Sequence, residues 1–457
     1  MNRISFYKNV FKILIPIMLQ NVVTTFVSLL DNIMVGQVGT EQMSGVAIAN
    51  QLFFIFSLAI FGGLAGAGIY TAQFYGKGDD DGICQTVRMK LYISLAVVGI
   101  FALLLGFAGT PLVNAFLHEG NDGLNLQVAY EHAMDYMHIM MIQLLPFAFT
   151  QIYASTLRES KETVVPMVAS IISVLVNLAG NYILIFGHFG APVLGVEGAA
   201  IATVIARFVE CAILVVYSHA KTSRFPFFGK MYRSFKVSAA VASGVIRKGS
   251  LLLLNELLWS TGMAVLNQSY SLRGLEVVSA VNIATTISEL FMCGVFSCGS
   301  VINIMVGQQL GAGNIDAAVR TSRRITVLSV LMCIVVGALL VIFAYPLANF
   351  YNTTENVKNL ASAMMVVIAC VMPFNAFTNA CYFTLRSGGK VLITFLFDTV
   401  ATWGGYVVVA FCLTRFTDLP IITIYILVNC VEVLKCIVGF FMVRSRVWAV
   451  NLVEDIQ

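Results

Sequence analysis

Charge is what this 457-residue sequence has least of. Lys, Arg, Asp and Glu make up 11% of it, where a soluble globular domain carries about a quarter. So few charges cannot cover a soluble particle of this length, and the 59% of residues that are hydrophobic, giving a mean hydropathy of +0.87, must meet lipid. Sustained alternation at period two is missing as well, which excludes a transmembrane barrel. The net charge of +4 is small and the basic residues line no single face, so nucleic acid is excluded as a partner. The ten cysteines contain no C-x-x-C and the five histidines no H-x3-H pair. The cysteines therefore read as packing residues, with neither a disulfide framework nor a zinc site. A G-x-x-x-x-G-K-[ST] loop is also absent, so an ion gradient or an outside partner has to drive any transport. No cofactor is expected beyond a coupling ion.

What the sequence does have is unbroken apolar runs. A spanning helix needs about 20 largely apolar residues, and runs bounded by charged or Gly/Pro/Asn-rich breaks predict twelve of them. The predicted spans are 11–36, 45–73, 88–110, 129–157, 163–187, 194–218, 246–272, 279–308, 322–347, 359–386, 391–414 and 420–443. The first follows Arg3, Lys8 and Lys12 but is too long for a signal peptide and lacks a small-x-small cleavage site, so it reads as a retained helix. Against this map, 22 of the 27 Lys and Arg fall on one side; Arg273, Lys358 and Arg415 fall on the other, and Arg207 and Lys435 lie inside helices. The positive-inside rule then places both termini of a multi-pass cell (inner) membrane protein in the cytoplasm. The longest basic stretch, Lys221 to Lys248, reads as a solvated linker.

The chain repeats itself. Residues 31–50 match 266–285 with seven identities in twenty, and the same offset of 235 aligns Gln73 with Gln308, Gly76 with Gly311 and Gly78 with Gly313. At offset 228, AFTQIYASTLR (148–158) meets AFTNACYFTLR (376–386) with six identities in eleven. An even number of helices per repeat inserts both halves in the same orientation, related by an axis along the membrane normal. The expected architecture is an all-α integral membrane protein of two pseudo-symmetric six-helix lobes in parallel repeat, with a V-shaped cavity between them. The expected domains are an N-lobe at 1–218, a cytoplasmic linker at 219–245 and a C-lobe with tail at 246–457.

A charge at the bilayer centre costs about 2.5–3.5 kcal/mol on insertion scales. Glu210 lies three residues after Arg207 and Glu432 three before Lys435, so each acid is expected to pair along its own helix. Asp31, Glu256, Glu289 and Asp398 have no Lys or Arg within four residues, and with both embedded cations already matched they are expected to lack a basic partner. Such an acid can load a proton or, with further oxygen ligands, hold Na+. Asn177 and Asn181, four apart and on one helix face, supply neutral oxygens, as does Thr203 in the next helix. Pro16, which removes a backbone donor, is expected to bend the first helix. The Gly62–Gly68 segment lies within a helix and reads as a close-packing surface, not a nucleotide loop.

These residues resemble the multidrug and toxic compound extrusion (MATE) family of the larger flippase superfamily, over essentially the whole chain. Pro16 through LLDNIMVGQVGT matches the family's first helix, with Asp31 on its aspartate. NLAGNYILIFG and GVEGAAIAT match helices 5 and 6, and the resemblance implies cation or proton handling at Asn177, Asn181 and Thr203, with Na+ as an alternative to H+ there. Many relatives carry Asp where this chain has Asn181. Glu256, in LLLNELLWS, matches a helix-7 glutamate of the norfloxacin-exporting branch. That branch also has an acid near MPFNAF that is absent here; Asp398 and Glu289 are the candidates for C-lobe coupling or substrate contact. The resemblance implies an antiporter, not an enzyme, that admits Na+ or H+ and exports organic, cationic or lipophilic small molecules, working as a monomer with membrane lipid around it. The alternatives are a lipid-linked precursor flippase of the same superfamily and, from another class, a membrane-embedded enzyme.

Overall fold

The computed structural model describes residues 3–116, 126–351, 353–454 and 456. Backbone N–H and C=O groups within hydrocarbon must be satisfied inside their own segment, and the apolar runs do so as helices. Twelve helices among the described residues are long and apolar enough to cross a membrane. They are α1 (Arg3–Gly36), α2 (Thr40–Lys77), α3 (Asp80–Phe116), α4 (Leu126–Glu159), α5 (Val164–Phe186), α6 (Gly195–Ala220), α7 (Ala239–Ser271), α8 (Leu275–Gly311), α9 (Ile315–Asn349), α10 (Glu355–Ser387), α11 (Val391–Phe416) and α12 (Ile421–Arg444). Several outrun the apolar stretch that announces them. The helix continues past the greasy run because its ends suit the dipole: Asp80 and Asp81 open α3, and Lys77 closes α2.

Three helices are irregular. α4 passes through a 3-10 turn at Met141–Gln143, just before Pro146. α11 has a π-helical stretch, Val400–Val407, that contains Gly404 and Gly405. α12 is interrupted at Cys430. α1 is one helix through Pro16.

The chain forms two compact units. The first comprises residues 19–71 and 80–245, the second residues 1–18, 72–79 and 246–457. In the first unit, Lys90 lies ten residues inside α3, fully buried, with its ammonium 2.6 Å from Glu159 and 3.0 Å from both Ser155 and Thr156. The segment after α6, expected to be a solvated linker, is docked instead. Phe225, Phe227, Phe228 and Met231 are buried, and Arg88 donates to the carbonyls of Met231, Lys236 and Lys230 at 3.0, 2.9 and 3.3 Å. Counting charge overlooked three phenylalanines whose burial outweighs the basic residues around them.

Among the described residues, the second unit holds two apolar cores. One joins α7–α10 to Ala410, Ile424, Tyr425 and Val428 of α11 and α12. The other packs the start of α1 (Phe6, Val10, Ile13, Leu14, Ile17) against α8–α10 and Trp448 of the tail. Here the ends of α2 and α8 cross: a methyl group on Gly76 would overlap the Gln308 backbone, and one on Gly311 the Gln73 backbone. The Gln73 side chain donates to the Ser387 carbonyl at 3.0 Å and accepts from Leu452 N–H at 2.7 Å, while Lys77 donates to the Val453 carbonyl at 2.6 Å. The tail is thereby bound to α2.

Candidate functional site

α5 and α6 approach closely because small residues face each other: Gly180 lies against Ala202, and Gly198 against the Leu184 carbonyl. That contact brings Asn177 of α5 within 3.0 Å of Thr203 of α6, its amide donating to the hydroxyl. The hydroxyl in turn donates to the Ala199 carbonyl at 2.9 Å. One turn on, the fully buried Asn181 donates through Nδ2 to Asp31 Oδ1 of α1 and lies 3.5 Å from Asn177 Oδ1. The other polar atom of the Asn181 amide, Oδ1, is buried with no hydrogen-bond partner among the described residues. Asp31, Asn177, Asn181 and Thr203, four residues from three helices, therefore come together within the first unit.

The electrostatics of this cluster rest on one carboxylate. Asp31 is partly buried and forms no ion pair with Lys or Arg among the described residues. Its charge also reaches Tyr136 of α4, a buried residue whose hydroxyl donates to Asn50 of α2 at 3.3 Å. The sequence reading missed Tyr136 and Asn50; neither is charged nor set off by spacing, and only the fold brings them near Asp31. No group of three or more His, Cys, Asp or Glu among the described residues can hold a metal. One carboxylate beside amide and hydroxyl oxygens, with an acceptor left over, instead fits a proton or a hard monovalent cation.

The second unit departs from expectation. Lys435 does not bond Glu432, three residues earlier; its ammonium lies 2.7 Å from Asp398 on α11. Asp398 consequently has a basic partner, contrary to the sequence reading. Glu432, 4% exposed, is satisfied by hydroxyls: Thr378 donates to Oε1 and Tyr406 to Oε2, and the Asn375 amide, with its NH2 turned to the carboxylate, donates at 3.2 and 3.3 Å. A shared helix face sets only where Lys435 starts. Four methylenes let it reach the neighbouring helix, where Asp398 offers more than an acid already saturated with neutral donors. The Arg207–Glu210 pair does form, at 3.0 Å.

Glu256 of α7 is half-buried and makes no ion pair among the described residues, although Arg386 and Asp398 lie within electrostatic reach. Glu289 is exposed midway along α8 and enters no ion pair among the described residues. Pro16 is buried within α1, two residues before the point where that helix passes from the second unit to the first.

Twelve apolar helices in two units, with a lone carboxylate among neutral oxygens inside one of them, define a multi-pass all-helical membrane protein. The MatE family profile matches residues 16–183 and 252–412. The chain belongs to the MatE family. Among curated proteins it is similar to the "probable multidrug resistance protein NorM" of Thermotoga maritima, 24% identical over 92% of this chain and 88% of that protein. It is likewise similar to the "probable multidrug resistance protein YoeA" of Bacillus subtilis, 25% identical over 92% and 90%. Its fold matches a solved structure described as the outward-facing conformation of a multidrug resistance MATE family transporter, with a TM-score of 0.87 at 20% identity, over 96% of this chain and 95% of that one.

Proposed function

We propose that this protein is a cation-coupled antiporter, driven by Na+ or H+, that exports organic cationic or lipophilic compounds by alternating access. The observation that carries this reading is Asp31: a carboxylate within a long apolar helix, bonded to an amide and paired with no basic residue among the described ones. An anion so placed is costly, and a proton or Na+ from the side of high electrochemical potential relieves that cost. The family, and relatives named for multidrug resistance, supply the substrate class.

In the cycle, Asp31 takes up the cation with Asn177, Asn181 and Thr203 as neutral oxygen ligands, and Glu256 is the second acid open to one. Neutralising Asp31 changes what the Asn181 amide bonds and so the packing of α1 on α5. Pro16, where α1 lacks one backbone donor, is the compliant point of that helix. Coupling requires that bound cation and bound substrate disfavour each other's conformations, since a ligand shifts an equilibrium only by its differential affinity. The lobes at 1–218 and 246–457, the linker at 219–245, cytoplasmic termini in the inner membrane, and a monomeric state belong to the same proposal.

The test is efflux from proteoliposomes with Na+ and pH gradients imposed separately. Asp31→Asn is expected to abolish gradient-driven efflux while leaving membrane insertion intact. Unchanged efflux in that variant removes the mechanism, and flux indifferent to both gradients removes the function.

A further inference from the structure

An Asn amide donating to an Asp carboxylate occurs within each unit: Asn181 to Asp31 in the first, and Asn255 to Asp398, at 3.1 Å, in the second. The two couples differ in what completes them. Beside Asp31 is a buried amide oxygen, Asn181 Oδ1, with no hydrogen-bond partner among the described residues. Beside Asp398 the corresponding oxygen is used, since Asn255 Oδ1 accepts from Thr399 at 3.3 Å, and an ammonium is already present on the acid. One couple retains an oxygen that a cation can take, and the other retains none.

We propose that Lys435 is a tethered counter-cation: on Asp398 its ammonium takes the place of a mobile coupling ion and withdraws that acid from coupling. This rests on the cation-coupled reading above and assigns the ion-binding capacity of the second unit. Asp398 Oδ1 faces Lys435 at 2.7 Å and Oδ2 faces Asn255, so both carboxylate oxygens are occupied. The lysine is not shared with Glu432 as an ion pair, because hydroxyl donors fill that acid. The ammonium also lies 5.3 Å from the centre of the Phe397 ring, where a cation is favoured. Lysine and aspartate side chains are 13% and 14% exposed, so the pair is shielded from the water that would loosen it. A lysine held this way cannot dissociate down a gradient. It neutralises Asp398 permanently, as a Na+ or proton would do transiently.

The proposal predicts a gain of binding. Lys435→Met leaves Asp398 and its amide donor facing a vacated ammonium position, so the variant acquires one cation equivalent that the native protein lacks. The measurement is the melting temperature of the full-length protein in detergent, with Na+ varied against choline at constant ionic strength and pH varied separately. Lys435→Met should melt below wild type and regain stability with each tenfold step in Na+ until saturation, or as pH falls, since a ligand of the folded state stabilises it by mass action. Lys435→Arg should follow wild type. In Lys435→Met/Asp398→Asn the added dependence should vanish. Lys435→Gln, which keeps a neutral donor, carries the same expectation where the methionine variant does not fold. A Lys435→Met or Lys435→Gln protein with wild-type Na+ and pH dependence overturns the proposal. Because the readout is the difference between the single and double variants, it stays legible even if Asp31→Asn shows that the antiport reading is wrong.

Discussion

Gly76 and Gly311 stand in a reciprocal relation: each lies against the backbone of the glutamine three residues before the other, Gly76 on Gln308 and Gly311 on Gln73. Residues 235 positions apart thus pack as equivalents, with room for hydrogen only at either crossing point.

Alanine at either glycine should therefore cost about 1–3 kcal/mol by forcing two helix backbones apart, and the two single variants should lose similar amounts. Gly106→Ala is the control, since nothing lies within 4 Å of a methyl placed there. It should be neutral or stabilising by up to about 1 kcal/mol, from helix propensity. Thermal unfolding in detergent separates these outcomes.

Removing Asn181 should change cation handling without abolishing it: with one donor fewer on its charged form Asp31 holds a proton more tightly, and with one oxygen ligand fewer the site holds Na+ less tightly. A hydrogen bond to a charged group contributes about 1.5–3 kcal/mol, so Asn181→Ala should shift the apparent affinity for the coupling ion by about tenfold or more. Asn177→Ala, whose amide serves the Thr203 hydroxyl and not the carboxylate, should shift it less. Efflux rate against Na+ concentration, and against pH, checks both.

Breaking the Lys90–Glu159 pair should damage the fold and not the coupling. Taking the ammonium away from a buried carboxylate costs about 3–5 kcal/mol, whereas replacing both charges is often close to neutral. Lys90→Met is expected to accumulate poorly, and Lys90→Met/Glu159→Leu to recover most of the loss. Whatever protein is recovered should show wild-type ion dependence in the efflux assay.

Gln73→Leu keeps side-chain bulk but removes the bonds to Ser387 and Leu452. It should loosen the tail, with a loss of about 1–3 kcal/mol from leaving backbone groups unsatisfied. Limited proteolysis should then cut between Ser445 and Val453 at protease concentrations that leave the native protein whole.

The helices and the first-unit cluster were legible in the sequence because they depend on local signals. Apolar runs against charged breaks give the spans, and Asn177, Asn181 and Asp31 stand out as polar residues in greasy helices. Two things were not legible. Lys435 reaches Asp398 across a helix interface, and no spacing along the chain encodes which of two acids a long side chain will select. Lys90 falls at the start of the predicted span at 88–110 and among the basic residues assigned to one side, whereas α3 begins at Asp80 and carries the lysine ten residues inside. Tyr136 and Asn50 were invisible for a related reason: two ordinary polar residues acquire meaning only when α2 and α4 meet beside Asp31.

The second core joins Phe6, Val10 and Leu14 to Trp448, and this has a consequence for biogenesis. Domains generally fold as units in the order of synthesis. The first unit has all its residues once the ribosome has passed Val245, but the opening turns of α1 must wait, their partners unmade, until α8–α10 and Trp448 have been made. Birth order and assembly order therefore run opposite at this end of the molecule, and the N-terminal helix is the segment most in need of shelter during translation.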